Sequence, residues 1–303
     1  MAIAIQAGII DDPSGPPQQP DPAPVPISTM SGRYRTKVFV ITGASDGIGA
    51  ELAQQLANRG HCLVLAARNE PALRDIAGRC QRNGSKAIAF RTDVTVDDDC
   101  RRLVERALEA FGRIDVLVNN AGISMHARFD EITDWSTYER LWRVNCLGTI
   151  NCTRAAWQHL KAAPGKRGGQ IVGINSLAGR TGVPGRTTYC ASKFAQAGFL
   201  EALRIEAAEH GITVTVVYPG VVATETRRKG LDGKGEPAGV SRLDEADAMP
   251  VDECARQIVR AIEGRRRELV MTAKGRLGLW LKLIAPGWVD NLARKALRKD
   301  EAQ

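Results

Sequence analysis

The residues of this chain best placed to move a proton are Tyr189 and Lys193, which lie four positions apart. If both lie on one helix, positions i and i+4 share a face, so the phenol and the ammonium project into the same space. An isolated tyrosine, with a pKa of about 10, is a poor general base at neutral pH. A lysine charge about 5 Å away, at an effective dielectric constant of about 20, favours phenolate by roughly 3 kcal/mol, or about two pKa units. The pair therefore suits proton transfer, but the same spacing occurs on many solvated helices, and the upstream residues must decide between these interpretations.

A glycine-rich turn follows the first apolar run of the chain, Val38 to Ile41. A short continuous apolar run is typical of a strand buried on both faces of a parallel sheet. The turn spans Thr42 to Gly49 and leads into an amphipathic helix predicted from about Ala50 to Arg59. Glycines in such a turn let the backbone approach a pyrophosphate that sits on the positive N-terminus of the helix. A strand before the turn and a helix after it favour nucleotide binding over a purely structural turn.

Strands and helices continue to alternate as far as residue 218, which predicts one large α/β domain. The further strands are predicted at Cys62 to Ala66, Ala87 to Arg91, Asp115 to Val118, Gln170 to Ile174 and Thr213 to Tyr218. The further helices are predicted at Glu70 to Arg82, Val96 to Phe111 and Trp135 to Leu160, with one more carrying Tyr189. Polar residues follow several strands, at the edge where ligands of open parallel sheets gather.

The residues after the second strand bear on cofactor choice. An enzyme that selects NAD usually has an acid there for the ribose 2′-hydroxyl, whereas an arginine accommodates the 2′-phosphate of NADP. The acid is missing and Arg68 is present, which favours NADP(H) over NAD(H); the alternative for Arg68 is a solvated loop residue. Asp46 adds a negative charge to the glycine turn, where phosphates would prefer none.

Asn145, inside a predicted apolar helix, is either a satisfied polar core residue or a link in a proton path.

These motifs, in this order and spacing, resemble the short-chain dehydrogenase/reductase family over about residues 36 to 272. The motifs are Thr42-Gly43-x-x-x-Gly47-x-Gly49, Asn119-Asn120-Ala121-Gly122, Asn145, Ser176, Tyr189-x-x-x-Lys193 and Pro219-Gly220. The resemblance implies an α/β fold, a Rossmann-type doubly wound parallel sheet flanked by helices, as a single catalytic domain over residues 33–272. It also implies a homodimer or homotetramer that interconverts a ketone and a secondary alcohol.

The resemblance also implies a role for each matching residue. Tyr189 would exchange a proton with the substrate oxygen, while Lys193 would lower the tyrosine pKa and hold the nicotinamide ribose. Ser176 would hydrogen-bond the substrate oxygen, and Asn145 would hold a water that relays protons towards Lys193. The remaining expected cofactor contacts are Gly43, Ser45, Gly47 and Ile48 at the phosphates, Arg68 at the 2′-phosphate, Asp93 and Val94 at the adenine, Asn120 at the ribose, and Pro219, Val222 and Thr224 beside the nicotinamide.

The first 32 residues differ from the rest, since they carry seven of the fourteen prolines and no Lys or Arg. They predict a disordered leader, with Met30 as an alternative start. No basic stretch precedes an apolar core there, which argues against a secretory signal.

Seven cysteines without a CxxC pair and four scattered histidines indicate reduced thiols, a cytoplasmic location and no metal site.

The last forty residues carry ten Lys or Arg against four Asp or Glu, so +6 of the +8 formal net charge lies there. Their apolar run, residues 276–284, is far short of the roughly 20 residues that span a bilayer. A basic extension over 273–303 with tryptophans suits a helix on an anionic membrane surface, or else a cap on the core or a partner subunit. Nucleic-acid binding is disfavoured because no groove-reading motif accompanies the charge.

Substrate choice is predicted to lie in the segment from Ala223 to Pro250, which includes the basic triplet Arg227, Arg228 and Lys229. That triplet is either a contact for an anionic group or part of a solvated flap. The basic extension is similar to that of lipid- and hydroxysteroid-directed family members, which implies a hydrophobic carbonyl or alcohol substrate. The alternative function is a non-catalytic, nucleotide-responsive binding protein of the same fold.

Overall fold

The computed structural model describes residues 36–161, 167–225, 228–239 and 248–300. The predicted leader, Met30 and Arg227 lie outside the described residues.

The described part of the chain is organised around a seven-stranded parallel sheet. Its strands are β1 (Val38–Thr42), β2 (Cys62–Ala67), β3 (Ala87–Arg91), β4 (Val116–Asn119), β5 (Gln170–Ile174), β6 (Thr213–Tyr218) and β7 (Glu268–Val270). Their order is β3-β2-β1-β4-β5-β6-β7, and every neighbouring pair is parallel. From β1 the chain adds strands outward to β3 on one side, and then from β4 to β7 on the other side, so the strand order reverses between β1 and β4. In a sheet of this kind the ligand crevice opens at the carboxyl ends of the strands where the order reverses.

Helices cover both faces of this sheet. The α-helices of the described residues, in chain order, are α1 (Gly47–Ala57), α2 (Glu70–Arg82), α3 (Asp97–Phe111), α4 (Ser136–Trp142), α5 (Gly148–Leu160), α6 (Thr187–Ala208), α7 (Val251–Glu263), α8 (Ala273–Ile284) and α9 (Pro286–Asp300). One apolar core joins α1, α2 and α7 to side chains such as Phe39 and Ile41 of β1, and a second joins α3, α5 and α6 to Val40. Successive β1 residues therefore enter opposite cores, as expected for a strand buried on both faces. The predicted doubly wound α/β fold is confirmed.

Two helices differ from their predicted form. Helix α1 begins at Gly47, about three residues before the predicted start, because Asp46 caps it: an Asp46 carboxylate oxygen accepts the Gly47 N–H at 2.7 Å. The helix predicted continuously from Trp135 to Leu160 is instead divided into α4 and α5 by a π-helical turn, Arg143–Leu147. Such turns often occur at functional sites.

Helices α8 and α9 lie after the last strand and are separated by Ala285 alone. Thr272 caps α8 by accepting the Gly275 N–H at 3.0 Å, and the Lys282 ammonium donates to the Arg180 carbonyl at 2.8 Å. No helix within the described ranges is long and apolar enough to cross a membrane.

Candidate active site

The glycine turn is shaped by backbone geometry that only glycine adopts easily. Gly43 and Gly47 have φ angles of +65° and +54°. A Cβ added to Gly49 would lie 2.4 Å from the Gly43 carbonyl oxygen and 2.5 Å from the Asn120 amide nitrogen. The first turn of α1 therefore packs directly against the preceding loop, at the kind of helix N-terminus where a phosphate would bind. Ser45 and Ile48 are half-buried within the same turn.

Polar side chains lock this turn to the end of β4. The Thr42 hydroxyl accepts the N–H groups of Asn120 at 3.0 Å and Ala121 at 3.1 Å. The Asn120 side-chain amide donates to the carbonyl oxygens of Thr42 at 2.9 Å and Gly43 at 3.1 Å. Asn120 thus holds the glycine turn in the described structure, and its predicted contact with the cofactor ribose stays a prediction.

The predicted adenine and 2′-phosphate residues follow β2 and β3. The glycine turn reaches the end of β2 through the Ala44 N–H, which donates to the Ala66 carbonyl at 3.2 Å. Arg68 lies two residues further on, exposed and without an ion pair to any residue that the structure describes. After β3, Asp93 accepts the N–H of Thr95 at 2.9 Å, and Val94 is buried. The structure therefore brings these residues to the same sheet edge as the glycine turn.

The negative charge of Asp46 has a partner that the sequence did not indicate. The Lys229 ammonium contacts the Asp46 carboxylate, and both side chains are exposed. An exposed pair of this kind adds little to stability. It nevertheless offsets the acidic charge that would otherwise face a bound phosphate. Lys229 belongs to the predicted basic triplet, so part of that triplet lies beside the glycine turn.

Tyr189 and Lys193 lie on one face of α6, in its first two turns. The Lys193 Nζ is 6.0 Å from the centre of the Tyr189 ring. This Nζ is buried and donates to the Ile174 carbonyl at 3.0 Å and to the Gln196 side-chain oxygen at 3.1 Å. The lysine is thereby fixed at the end of β5 and beneath the tyrosine ring.

Burial lowers the pKa of Lys193 from its ordinary value of 10.5 to about 8, and Cys146 opposes this shift. The charged form loses its hydration in the protein interior, so the neutral amine becomes easier to form. With a pKa of about 8, the amine is mostly protonated at neutral pH. The positive charge beside Tyr189 is therefore present near neutrality and is lost as the pH rises above about 8.

Ser176 follows β5 and is half-buried at the same edge. Its hydroxyl accepts the Ala178 N–H at 3.2 Å, and its own N–H donates to the Asn175 side-chain oxygen at 2.8 Å. The Asn175 amide in turn donates to the Lys193 carbonyl at 2.9 Å. One hydrogen-bonded network therefore joins the predicted serine, lysine and tyrosine segments.

The sequence-based prediction missed two members of this network, Asn175 and Gln196. The Asn175 amide donates to the Gln196 side-chain oxygen at 3.0 Å, and the Gln196 amide donates to the Thr149 hydroxyl at 2.7 Å. Gln196 is fully buried and shares its oxygen between Asn175 and Lys193. Its position three residues after Lys193 on the same helix is the signal that could have identified it.

Asn145 lies in the π-helical turn and is fully buried. Its side-chain oxygen accepts the Ile123 N–H at 2.8 Å, and its amide donates to the Ile123 carbonyl at 3.0 Å and the Ser192 hydroxyl at 2.9 Å. A Cβ added to Gly122 would lie 3.1 Å from the Asn145 oxygen and 3.6 Å from the Lys193 Nζ. Gly122 therefore keeps open the space between the amide and the amine, and the predicted water relay stays a prediction.

The predicted nicotinamide neighbours lie after β6, next to β5. The Pro219 carbonyl accepts the Leu177 N–H at 3.0 Å, which ties this loop to the serine segment. Val222 is buried and forms an isolated parallel bridge with Met249, while Thr224 is half-buried. These three residues therefore lie at the carboxyl edge of the sheet.

Part of the predicted substrate segment is hydrogen-bonded to the loop between β4 and α4. The Leu231 N–H donates to the Ser124 carbonyl at 2.9 Å, and the His126 N–H donates to the Leu231 carbonyl at 2.8 Å. The Thr133 N–H also donates to the Gly233 carbonyl at 2.8 Å. Residues 228–239 thus form one wall with that loop, beside Tyr189.

Comparison with known proteins agrees with this geometry. The family model described as short chain dehydrogenase matches residues 37–234. The chain is 38% identical to an 11-beta-hydroxysteroid dehydrogenase A of Arachis hypogaea, over 85% of this chain and 74% of that protein. It therefore belongs to the short-chain dehydrogenase family, whose members are oxidoreductases acting on alcohols and ketones.

Two solved structures share the fold and carry nicotinamide cofactors. A short chain dehydrogenase/reductase from Burkholderia phymatum in complex with NAD has a TM-score of 0.74 and 25% identity, covering 84% of this chain and 95% of its own. An alcohol dehydrogenase from Thermococcus sibiricus complexed with 5-hydroxy-NADP has a TM-score of 0.65 and 26% identity, covering 78% and 94%. The fold of this chain is thus one that binds nicotinamide cofactors of both kinds.

Proposed function

We propose that this protein is an NADP(H)-dependent oxidoreductase that interconverts a ketone and a secondary alcohol on a hydrophobic, lipid- or steroid-like substrate. The observation that carries the proposal is the buried Lys193 ammonium held 6.0 Å from the Tyr189 ring at the crevice edge of the sheet. The nicotinamide cofactor supplies or accepts the hydride when bound. Tyr189 exchanges the proton with the substrate oxygen, and Ser176 stabilises the charge that develops there. Lys193 keeps the tyrosine pKa near the working pH.

The wall beside Tyr189 supports an apolar substrate. A separate cluster of buried apolar residues is formed by Met125, Ala127, Ile132, Leu141 and Leu231, and Tyr189 packs against it. The hydroxysteroid name of the Arachis relative points in the same direction. Purified protein with NADPH is expected to reduce steroid or long-chain ketones in preference to sugars and small keto acids. Turnover confined to the polar compounds would contradict the proposed substrate class.

Arg68 is the proposed determinant of NADP(H) over NAD(H). Arg68→Ala should raise the Kd for NADPH by about 10- to 100-fold, because a charge-assisted hydrogen bond contributes about 1.5–3 kcal/mol. The Kd for NADH should stay nearly constant, since NADH has no 2′-phosphate. Titration of both nucleotides by fluorescence measures the two values. Arg74→Ala, which removes an exposed arginine paired with Glu70, is the matched control, and an equal loss for both nucleotides would refute the assignment.

Helices α8 and α9 are proposed to contact an anionic membrane surface from the cytoplasmic side. Helix α8 has no buried residue, and Leu277, Trp280, Leu283, Ile284 and Trp288 are 54–81% exposed. The cations on these helices include Lys274, Arg276, Arg294 and Lys295. Apolar side chains next to basic ones suit the boundary of an anionic bilayer.

This surface predicts flotation with phosphatidylserine vesicles that weakens as salt is added. Trp280→Ala should weaken the binding at least about tenfold, because an aromatic side chain buried in the interface contributes about 2 kcal/mol. Trp135→Ala is the control, since Trp135 is 59% exposed and Trp280 is 61% exposed. Equal flotation of the Trp280→Ala and wild-type proteins would exclude α8 as the contact.

A homodimer or homotetramer is also proposed, on the family resemblance. Light scattering, which gives the molar mass in solution, measures the number of subunits.

A further inference from the structure

Arg186 is a buried cation beside Tyr189 that no role described above uses. It immediately precedes α6, and only 8% of its surface is exposed. One guanidinium nitrogen contacts the Ser124 hydroxyl at 3.2 Å and the His126 Nε2 at 3.0 Å. The Arg186 Nε is buried without a hydrogen-bond partner, and no acidic side chain within the described ranges forms an ion pair with Arg186.

This placement is energetically unfavourable in three respects. A buried charge without an opposite charge is costly, and an unsatisfied buried N–H group adds to that cost. The guanidinium also lies at the N-terminus of the 22-residue helix α6, the positive end of its dipole. Burial accordingly lowers the pKa of Arg186, although an arginine side chain stays protonated in proteins. A cost of this kind indicates a contact that compensates for it.

The compensating contact is with Tyr189. The Arg186 Cζ lies 5.2 Å from the centre of the Tyr189 ring, and the Lys193 Nζ lies 6.0 Å from the same centre. Two cations therefore contact one aromatic ring, which attracts them while it is neutral and attracts them more strongly as phenolate. The electrostatic influence of Tyr189 raises the pKa of Arg186, as expected if the two groups stabilise each other.

We infer that Arg186 is a positioning residue, a second positive charge that stabilises the phenolate form of Tyr189 and fixes its ring. The inference rests on the proposed role of Tyr189 in proton exchange. Direct binding of an anionic substrate group by Arg186 is disfavoured, because the side chain is covered and its Nε is inaccessible. In the alcohol-oxidising direction, Arg186 increases the fraction of Tyr189 that is ready to accept the substrate proton.

Other titratable groups surround this pair. On α6 they are Lys193 and Cys190, and burial raises the pKa of the Cys190 thiol. The loop after β4 contributes His126, whose Nε2 lies 3.0 Å from a guanidinium nitrogen. The π-helical turn contributes Cys146, whose pKa is raised by burial, and α4 contributes Tyr138. Lys193 is the group among these whose charge changes near pH 8.

The test is the pH profile of kcat for alcohol oxidation in Arg186→Met and Arg186→Lys proteins. Arg186→Met removes the charge that lies 5.2 Å from the centre of the Tyr189 ring, which should raise the apparent pKa of Tyr189 by about one to two units. The rate near neutral pH should fall by about 10- to 100-fold and recover at alkaline pH. Arg186→Lys should keep the wild-type profile. The tyrosinate absorbance that disappears in Tyr189→Phe reports the same shift in the absence of turnover.

Any of the following outcomes would overturn the inference. A rate reduced equally at every pH indicates a merely structural role, as does an unmoved tyrosinate titration. A raised KM confined to anionic substrates, with an unchanged profile, indicates substrate binding. If Tyr189→Phe abolishes turnover while Arg186→Met leaves the profile in place, only this inference fails. If Tyr189→Phe keeps full turnover, the proposed function fails with it.

Discussion

Tyr189→Phe is expected to lower kcat for ketone reduction by about 10²- to 10⁴-fold, the usual contribution of a positioned general acid. The substitution removes one oxygen and leaves the ring, which packs against the apolar cluster and lies near Lys193 and Arg186. The fold and nucleotide affinity should therefore persist. Steady-state kinetics, nucleotide titration and thermal unfolding of the same preparation separate these effects.

Tyr138→Phe is the matched control for that variant. The Tyr138 hydroxyl contacts the Thr187 hydroxyl at 3.4 Å, and the Tyr138 ring stacks on Trp135. Loss of the Tyr138 hydroxyl should therefore change kcat by no more than about twofold. Full turnover in Tyr189→Phe would place the proton donor elsewhere. Absence of turnover in the wild-type protein with every carbonyl tested, despite tight nucleotide binding, would favour the non-catalytic binding protein.

Lys193→Met is expected to lower kcat for alcohol oxidation near neutral pH by about 100-fold, because loss of the charge 6.0 Å from the centre of the Tyr189 ring raises the tyrosine pKa by about two units and so lowers its phenolate fraction. The same variant should alter how stability depends on pH. The folded-state pKa of Lys193 is about 8 and its ordinary value is 10.5, so between these values the unfolded chain binds a proton that the folded chain lacks. The free energy of unfolding contributed by Lys193 therefore rises with pH across this window.

The expected size of this change is about 3 kcal/mol, since each pKa unit corresponds to about 1.4 kcal/mol. Urea unfolding without nucleotide, repeated between neutral pH and about pH 10, measures it as the difference between wild-type and Lys193→Met proteins. That difference should shift in favour of the wild type as the pH rises. Lys86→Met, which removes an exposed lysine, controls for general alkaline effects. A stability difference that stays constant with pH would show that folding does not lower the pKa of Lys193.

Local sequence patterns were sufficient to predict six of the seven strands and the glycine turn, whereas the short strand β7 was not predicted. The apolar run from Val38 to Ile41 is buried on both faces, and the glycines after it are required by positive φ angles and by close packing at Gly49. Helix α1 begins earlier than its apolar pattern predicts, because Asp46 caps it at Gly47. Each of these features depends on residues within one or two turns of the chain.

Contacts between distant residues were not predictable in this way. The π-helical turn places the Asn145 amide on the backbone of Ile123, 22 residues away, and Lys229 pairs with Asp46 across 183 residues. Gln196 has its role only because β5 and α5 meet α6 at this edge. The short motifs thus predicted which residues gather at the crevice, whereas the hydrogen bonds that hold them arise from the tertiary fold.

Arg186 illustrates the same limit. Its position three residues before Tyr189 in the sequence gave no sign of burial, and its environment is made by the loop that carries Ser124 and His126. That loop is in turn hydrogen-bonded to Leu231 of the substrate segment. A change in the substrate segment is therefore expected to reach Tyr189 through this loop and Arg186.

The crystal structure of the protein with NADPH and a poorly reactive apolar ketone tests the central claim most directly. The account predicts that the Tyr189 hydroxyl and the Ser176 hydroxyl both lie within about 3.2 Å of the ketone oxygen. It also predicts that the nucleotide phosphates lie on the glycine turn, with the Lys193 ammonium near the nicotinamide ribose. A ketone oxygen out of reach of Tyr189, or a nucleotide bound away from the glycine turn, would contradict it.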